Sequence, residues 1–120
     1  MAKRILIVDD DSELCEEMEE ALRNEGYFVR SLHEGKECEK ITKSDPYDIL
    51  LLDFKMPGLN CADALKSLKE HNPSTRIFLM SGKPFIDKFL EENKLNHLIE
   101  GFMNKPFEVE KLLEKIKAIE

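Results

Sequence analysis

The chain has 120 residues, enough for one domain with a substantial core, and a formal net charge of −7. Hydrophobic residues make up 42% and charged residues 36%, the balance of a soluble globular protein rather than a disordered tail. The negative charge argues against generic binding to nucleic acid or anionic membranes, and no apolar run approaches the ~20 residues of a membrane span.

In chain order, Met-Ala-Lys-Arg carries no signal-peptide pattern and leads into Ile5-Leu6-Ile7-Val8, a run that reads as a buried strand. Three aspartates, Asp9, Asp10 and Asp11, follow at once. Two carboxylates ~4 Å apart repel by roughly 1 kcal/mol in water and about 4 at an effective dielectric of 20. Asp11 is explained by the next helix, whose N-terminus favours acids. Ser12 to Glu25 places Leu14, Met18, Ala21 and Leu22 on one face, and Gly26 can close its end. Asp9 to Glu25 holds nine acids against the single base Arg23. The plain reading is a solvated helix face; the functional one is a metal site joined to a docking surface for a basic partner.

Phe28 to Leu32 is strand-like but more polar, which suits a sheet edge. Gly35 to Lys43 reads as a short helix before a Ser44-Asp45-Pro46 turn. Ile49 to Leu52 is a second continuous apolar run and ends in Asp53. Asn60 can cap a helix carrying Ala64, Leu65 and Leu68, closed by Asn72-Pro73. Ile77 to Met80 is a third such run and ends in Ser81. Pro84 suits the first turn of a helix reaching about Asn93. Phe102-Met103 forms a short last strand followed by Lys105, and Glu108 to Ile119 repeats apolar residues at helical spacing.

Five strands alternating with five helices predict an α/β doubly wound domain, a (βα)5 three-layer sandwich over residues 1–120. The most apolar strands belong in the middle. With right-handed crossovers they give a parallel sheet of order 2-1-3-4-5. A ligand crevice then lies beyond the strand C-termini, between strands one and three. The residues that end the strands, Asp9, Asp10, Asp53, Ser81 and Lys105, fall on that rim. Neighbouring strands are ~4.8 Å apart, so Asp53 can reach the aspartate pair. Hard oxygen ligands suit Mg²⁺, a carboxylate can accept a phosphoryl group, and a lysine and a hydroxyl can stabilise it. Position favours Lys105 over Lys83, the lysine of the other Lys-Pro-Phe repeat. A cis peptide before Pro106 is open on these grounds, since X-Pro bonds are cis only ~5–6% of the time.

Cys15, Cys38 and Cys61 are odd in number and widely spaced, which points to reduced thiols and a cytoplasmic setting. His33, His71 and His97 are scattered and read as surface or packing residues.

On the motifs Ile5 to Asp10, Leu51-Leu52-Asp53-Phe54-Lys55-Met56-Pro57-Gly58, Leu79-Met80-Ser81-Gly82 and Gly101 to Phe107, the chain resembles the receiver domain of two-component response regulators, of flavodoxin-like fold. Members of that family share the strand order above, so the resemblance is not independent evidence for it. The resemblance implies a phosphorylation-activated signalling switch rather than an enzyme, with Asp53 as phosphoacceptor and Mg²⁺ as cofactor. Asp9, Asp10, Asp53 and the backbone carbonyl of Lys55 would hold the ion. Ser81 and Lys105 would bind the phosphoryl group, and the bond before Pro106 would be cis. Ser81 and Phe102 would shift on activation; core packing is the plainer reading of Phe102.

The implied partners are a sensor histidine kinase or phosphotransfer protein upstream, and a target protein or an output domain downstream. Direct binding to nucleic acid or membrane is not expected. The state would be a monomer or a phosphorylation-linked dimer, standing alone or as part of a longer regulator. The sequence departs from the family at Cys61, Gly82 and Ser81, and over Asn93 to Glu100, where the usual Gly-Ala turn is missing. A phosphatase with an aspartate nucleophile is a rival, but Lys55 stands where a second acid would be needed. A receiver-like module without phosphorylation is another, opposed by the complete acidic set. A flavodoxin-like cofactor binder would need a glycine-rich loop after the first strand, which is missing here.

Overall fold

A computed structural model describes residues 3–35, 37–38, 40–41, 46–54, 61–82 and 86–119. Five strands, β1 (Arg4–Val8), β2 (Phe28–Leu32), β3 (Ile49–Asp53), β4 (Arg76–Ser81) and β5 (Gly101–Asn104), form one sheet of order β2-β1-β3-β4-β5. Every neighbouring pair is parallel. The helices are α1 (Ser12–Asn24), α2 (Cys61–His71), α3 (Ile86–Glu92) and α4 (Val109–Ala118), with a 3₁₀ turn at Asn96–Leu98. Residues 37, 38, 40 and 41, between β2 and β3, are also helical. The expected fold and strand order are therefore observed. The Asn60 cap, Pro84 and residues 42–45 of the expected second helix and turn lie outside the described residues.

The continuous apolar runs have a direct physical cause. Side chains alternate across a strand, so a strand buried on both faces needs apolar residues at every position. Ile5, Ile7, Ile49, Leu51, Phe78 and Met80 pack on one face with Cys15, Met18 and Leu22 of α1 and with Leu112 and Ile116 of α4. Leu6, Val8, Leu50, Leu52, Ile77 and Leu79 pack on the other with Leu65 and Leu68 of α2 and Leu90 of α3. The polar character of β2 follows from its edge position, where Phe28 is half exposed and Arg30 faces solvent.

Asp11 caps α1 by accepting from the Leu14 N–H at 3.2 Å, which accounts for the third aspartate as the sequence suggests. Gly26, at φ +95°, closes the same helix: its N–H donates to the Arg23 carbonyl and that of Tyr27 to the Leu22 carbonyl. The atypical Asn93–Glu100 segment uses the same device without a glycine. Lys94 takes φ +55°, its N–H donates to the Glu91 carbonyl, and the Leu95 N–H donates to the Leu90 carbonyl. Leu90 and Leu95 are both fully buried in one cluster, so an apolar contact holds a left-handed turn that lysine itself disfavours.

Replacing Lys94 by Gly is therefore expected to stabilise the fold by about 1 kcal/mol, and Gly26→Ala to destabilise it by a similar amount, about 1–2 kcal/mol. Urea unfolding midpoints at constant m-value check both signs.

Candidate functional site

β1 and β3 lie side by side with Val8 opposite Leu52, so the residues following each strand emerge together. β4 adds Ser81, and β5, paired to it through Asn104, delivers Lys105. Asp9 has no exposed surface, Asp53 and Ser81 are buried, and Asp10 is exposed. Carboxylate oxygens of Asp9, Asp10 and Asp53 all lie within 4.8 Å of one another. The strand-end reading of the sequence is thus reproduced for these residues.

The burial of Asp9 is compensated at every polar atom. Its N–H donates to the Leu32 carbonyl at 3.0 Å. Oδ1 accepts from the Asp11 N–H at 2.9 Å, and Oδ2 from Lys105 Nζ at 2.7 Å. Its carbonyl oxygen faces the Cys15 thiol at 3.4 Å and His33 Nδ1 at 3.1 Å. Lys105 Nζ also lies 3.6 Å from Asp53 Oδ2, so one ammonium spans two carboxylates. Burial alone would lower the pKa of Lys105, but the hydrogen bond to Asp9 and the charge of Asp53 outweigh it, and the net direction is upward. The Cys15 thiol, buried and facing Asp9, is pushed up to about 11 and stays protonated. Ser81 accepts the Lys105 N–H at its carbonyl oxygen, 2.6 Å away, which ties β4 to the lysine-bearing loop.

The Lys105–Pro106 peptide is cis. Phe102 is partly buried and pairs in register with Leu79, against the cluster that holds Leu90. Among the described residues, a methyl group placed at Gly82 would meet Lys105 Cβ, at 4.0 Å. Lys55 and the competing Lys83 lie outside the described residues. Three converging carboxylates, two of them sharing the Lys105 ammonium, are an oxygen-only donor set, of the kind a hard divalent cation takes. Cys15 and His33 were not singled out by sequence. Reading the residue after β2 as the other strands were read would have pointed to His33.

The family model described as response regulator receiver domain matches residues 5–117. The chain belongs to that family. Receivers are signalling switches of two-component systems rather than catalysts in the ordinary sense. Among solved structures, a CheY-like receiver domain protein from Methanospirillum hungatei JF-1 superposes with a TM-score of 0.88 at 27% identity, covering 99% of this chain and 94% of that one. The response regulator TrrA from Thermotoga maritima, solved in complex with Mg²⁺-BeF, gives 0.82 at 27% identity, covering 98% and 99%. The cell cycle transcriptional regulator CtrA of Caulobacter vibrioides is 30% identical over 119 residues, 97% of this chain and 49% of CtrA. This receiver thus spans about half the length of such curated relatives. Among the described residues, no helix is long and apolar enough to cross a membrane.

Two substitutions separate the acid that Lys105 pairs from the exposed Asp10. Lys105→Met strands the buried Asp9 carboxylate and is expected to cost roughly 3 kcal/mol. Because the folded pKa of Lys105 is raised, its contribution is complete below the ordinary lysine value of about 10.4 and fades as pH rises through the folded value. Denaturation of both proteins from pH 7 to 11 should show a constant gap that narrows only at the alkaline end. Asp10→Asn, by contrast, removes repulsion at an exposed position and should raise the melting temperature in chelator while weakening Mg²⁺ binding. A fall in that melting temperature would contradict the repulsion account.

Proposed function

We propose that this receiver accepts a phosphoryl group on Asp53 from a phosphohistidine donor, in a Mg²⁺-dependent reaction, and thereby changes its partner-binding surface. The observation that carries the reading is the convergence of Asp9, Asp10 and Asp53 at one sheet edge with Lys105 bridging Asp9 and Asp53. A carboxylate oxygen of Asp53 attacks phosphorus. The phosphorus–nitrogen bond to the donor imidazole breaks, and the imidazole leaves with that electron pair. Asp9, Asp10, Asp53 and the Lys55 carbonyl would hold Mg²⁺, which supplies charge neutralisation at the phosphoryl oxygens. Lys105, already 3.6 Å from Asp53, adds a second positive charge from the protein itself. Its bond to Asp9 must loosen for it to follow the phosphoryl group. TrrA, an overall match at 27% identity, was solved with Mg²⁺-BeF, which is consistent with this use of the fold.

A phosphorylated aspartate gains net negative charge and acceptor oxygens. The Ser81 hydroxyl, buried at the end of the adjacent strand, is an uncharged donor on the same rim. Drawing Ser81 inward would pull on β4 and through it on β5, where Phe102 pairs with Leu79, and so carry the change to the α3–β5–α4 face. The domain catalyses its own phosphorylation and dephosphorylation and turns over no separate substrate.

The upstream partner is a sensor histidine kinase or phosphotransfer protein. The acidic wall of α1 suits a basic docking surface: a furrow of about 390 Å³ between α1 and the loop before α4 is lined by Asp11, Glu13, Leu14, Glu17, Lys105 and Phe107, among others. Downstream, a target protein or a linked output domain reads the switch, the domain itself being a monomer or a phosphorylation-linked dimer. A cytoplasmic setting and no direct contact with nucleic acid fit the reduced thiols and the net charge of −7.

Intact-mass spectrometry after incubation with acetyl phosphate, with and without Mg²⁺, tests the reading. The wild type should gain one phosphoryl group only with Mg²⁺, and Asp53→Asn should gain none while melting as a folded domain. Equal labelling of Asp53→Asn would move the acceptor elsewhere and overturn the assignment.

A further inference from the structure

The Asp9 carbonyl oxygen has two lone pairs, and two side chains from different elements meet it. Cys15 Sγ approaches from α1 at 3.4 Å and His33 Nδ1 from the end of β2 at 3.1 Å. A carbonyl only accepts, so both partners must donate: the thiol keeps its proton, and Nδ1 of His33 carries one. This carbonyl belongs to the peptide that joins Asp9 to Asp10, and that unit is planar. Fixing its oxygen therefore fixes the direction in which the chain enters Asp10. The Asp9 N–H is gripped from the same side by the Leu32 carbonyl, one residue before His33. The end of β2 thus holds Asp9 at both its donor and its acceptor.

A restraint of this kind has a force to oppose. The Asp10 carboxylate is exposed yet lies within 4.8 Å of those of Asp9 and Asp53. Lys105 neutralises Asp9 and approaches Asp53, and nothing comparable is recorded at Asp10 among the described residues. Turning the Asp9–Asp10 peptide would let Asp10 swing into solvent and relieve the repulsion. We propose that His33 is a positioning residue for the acidic cluster: its Nδ1–H, with the Cys15 thiol, locks the Asp9–Asp10 peptide and keeps the Asp10 carboxylate turned toward Asp9 and Asp53. The inference rests on the reading that these carboxylates hold Mg²⁺. Partners that orient a metal ligand from behind commonly alter affinity by about 10-fold or more when removed.

Mg²⁺ titration of the whole chain by calorimetry tests it with two variants of opposite design. His33→Phe keeps a ring of similar shape and loses the donor; His33→Asn loses the ring and keeps an amide donor near the Nδ1 position. His33→Phe should weaken Mg²⁺ binding by about 10-fold, and His33→Asn should restore most of the affinity. Melting temperatures in chelator should differ little, since His33 is exposed. In an Asp10→Asn background, His33→Phe should have no further effect on Mg²⁺ affinity, which a general structural role would not predict. Equal affinities of wild type and His33→Phe, or equal losses in both His33 variants, overturn the inference and leave the phosphoacceptor reading standing. A wild type that binds no Mg²⁺ at millimolar concentration overturns both.

Discussion

Asp9 is a carboxylate with no exposed surface, and the lysine that neutralises it arrives from 96 residues further along the chain. An isolated buried carboxylate costs several kcal/mol even after relaxation, so the end of β1 can stay buried only if β5 and its following loop are in place. The 2.7 Å bond between Lys105 and Asp9 therefore couples the first strand to the last. It also leaves the site poised. The same ammonium reaches toward Asp53, so charge added at Asp53 competes directly with Asp9 for it.

The sheet makes this arrangement possible because all its strands run the same way. Parallel pairing places every strand end on one side, and the register Val8 to Leu52 and Ser81 to Asn104 sets the functional residues level with one another. A single-residue slip in a strand would turn its apolar set onto the opposite face. The helix layers on both faces penalise that slip, because each buries a separate apolar cluster. The core thus specifies the site's geometry without contributing a group to its chemistry.

Some local features give way to tertiary demands. Lys94 adopts a left-handed conformation that disfavours it because Leu90 and Leu95 bury together around the turn. The Asn93–Glu100 segment delivers the chain to β5 through a 3₁₀ turn at Asn96–Leu98.

Much of the architecture was legible in the sequence. Four-residue apolar runs at Ile5, Ile49 and Ile77 suit strands covered on both sides, and their alternation with helical segments points to a layered α/β sheet. The residues that close those runs, Asp9, Asp10, Asp53 and Ser81, were legible for the same reason, because a strand's end has a fixed place in a parallel sheet. Lys105 could be chosen by position, but its simultaneous approach to Asp9 and Asp53 is a matter of side-chain reach across three strands. Periodicity carries no information about that reach. His33 and Cys15 were not legible as site residues, since their bonds go to a backbone carbonyl, and a backbone atom leaves no trace in residue identity. The sequence by itself determined the layers and the chemistry available at the sheet edge. Only the tertiary structure decided which acids share Lys105, because that depends on distances between segments far apart in the chain.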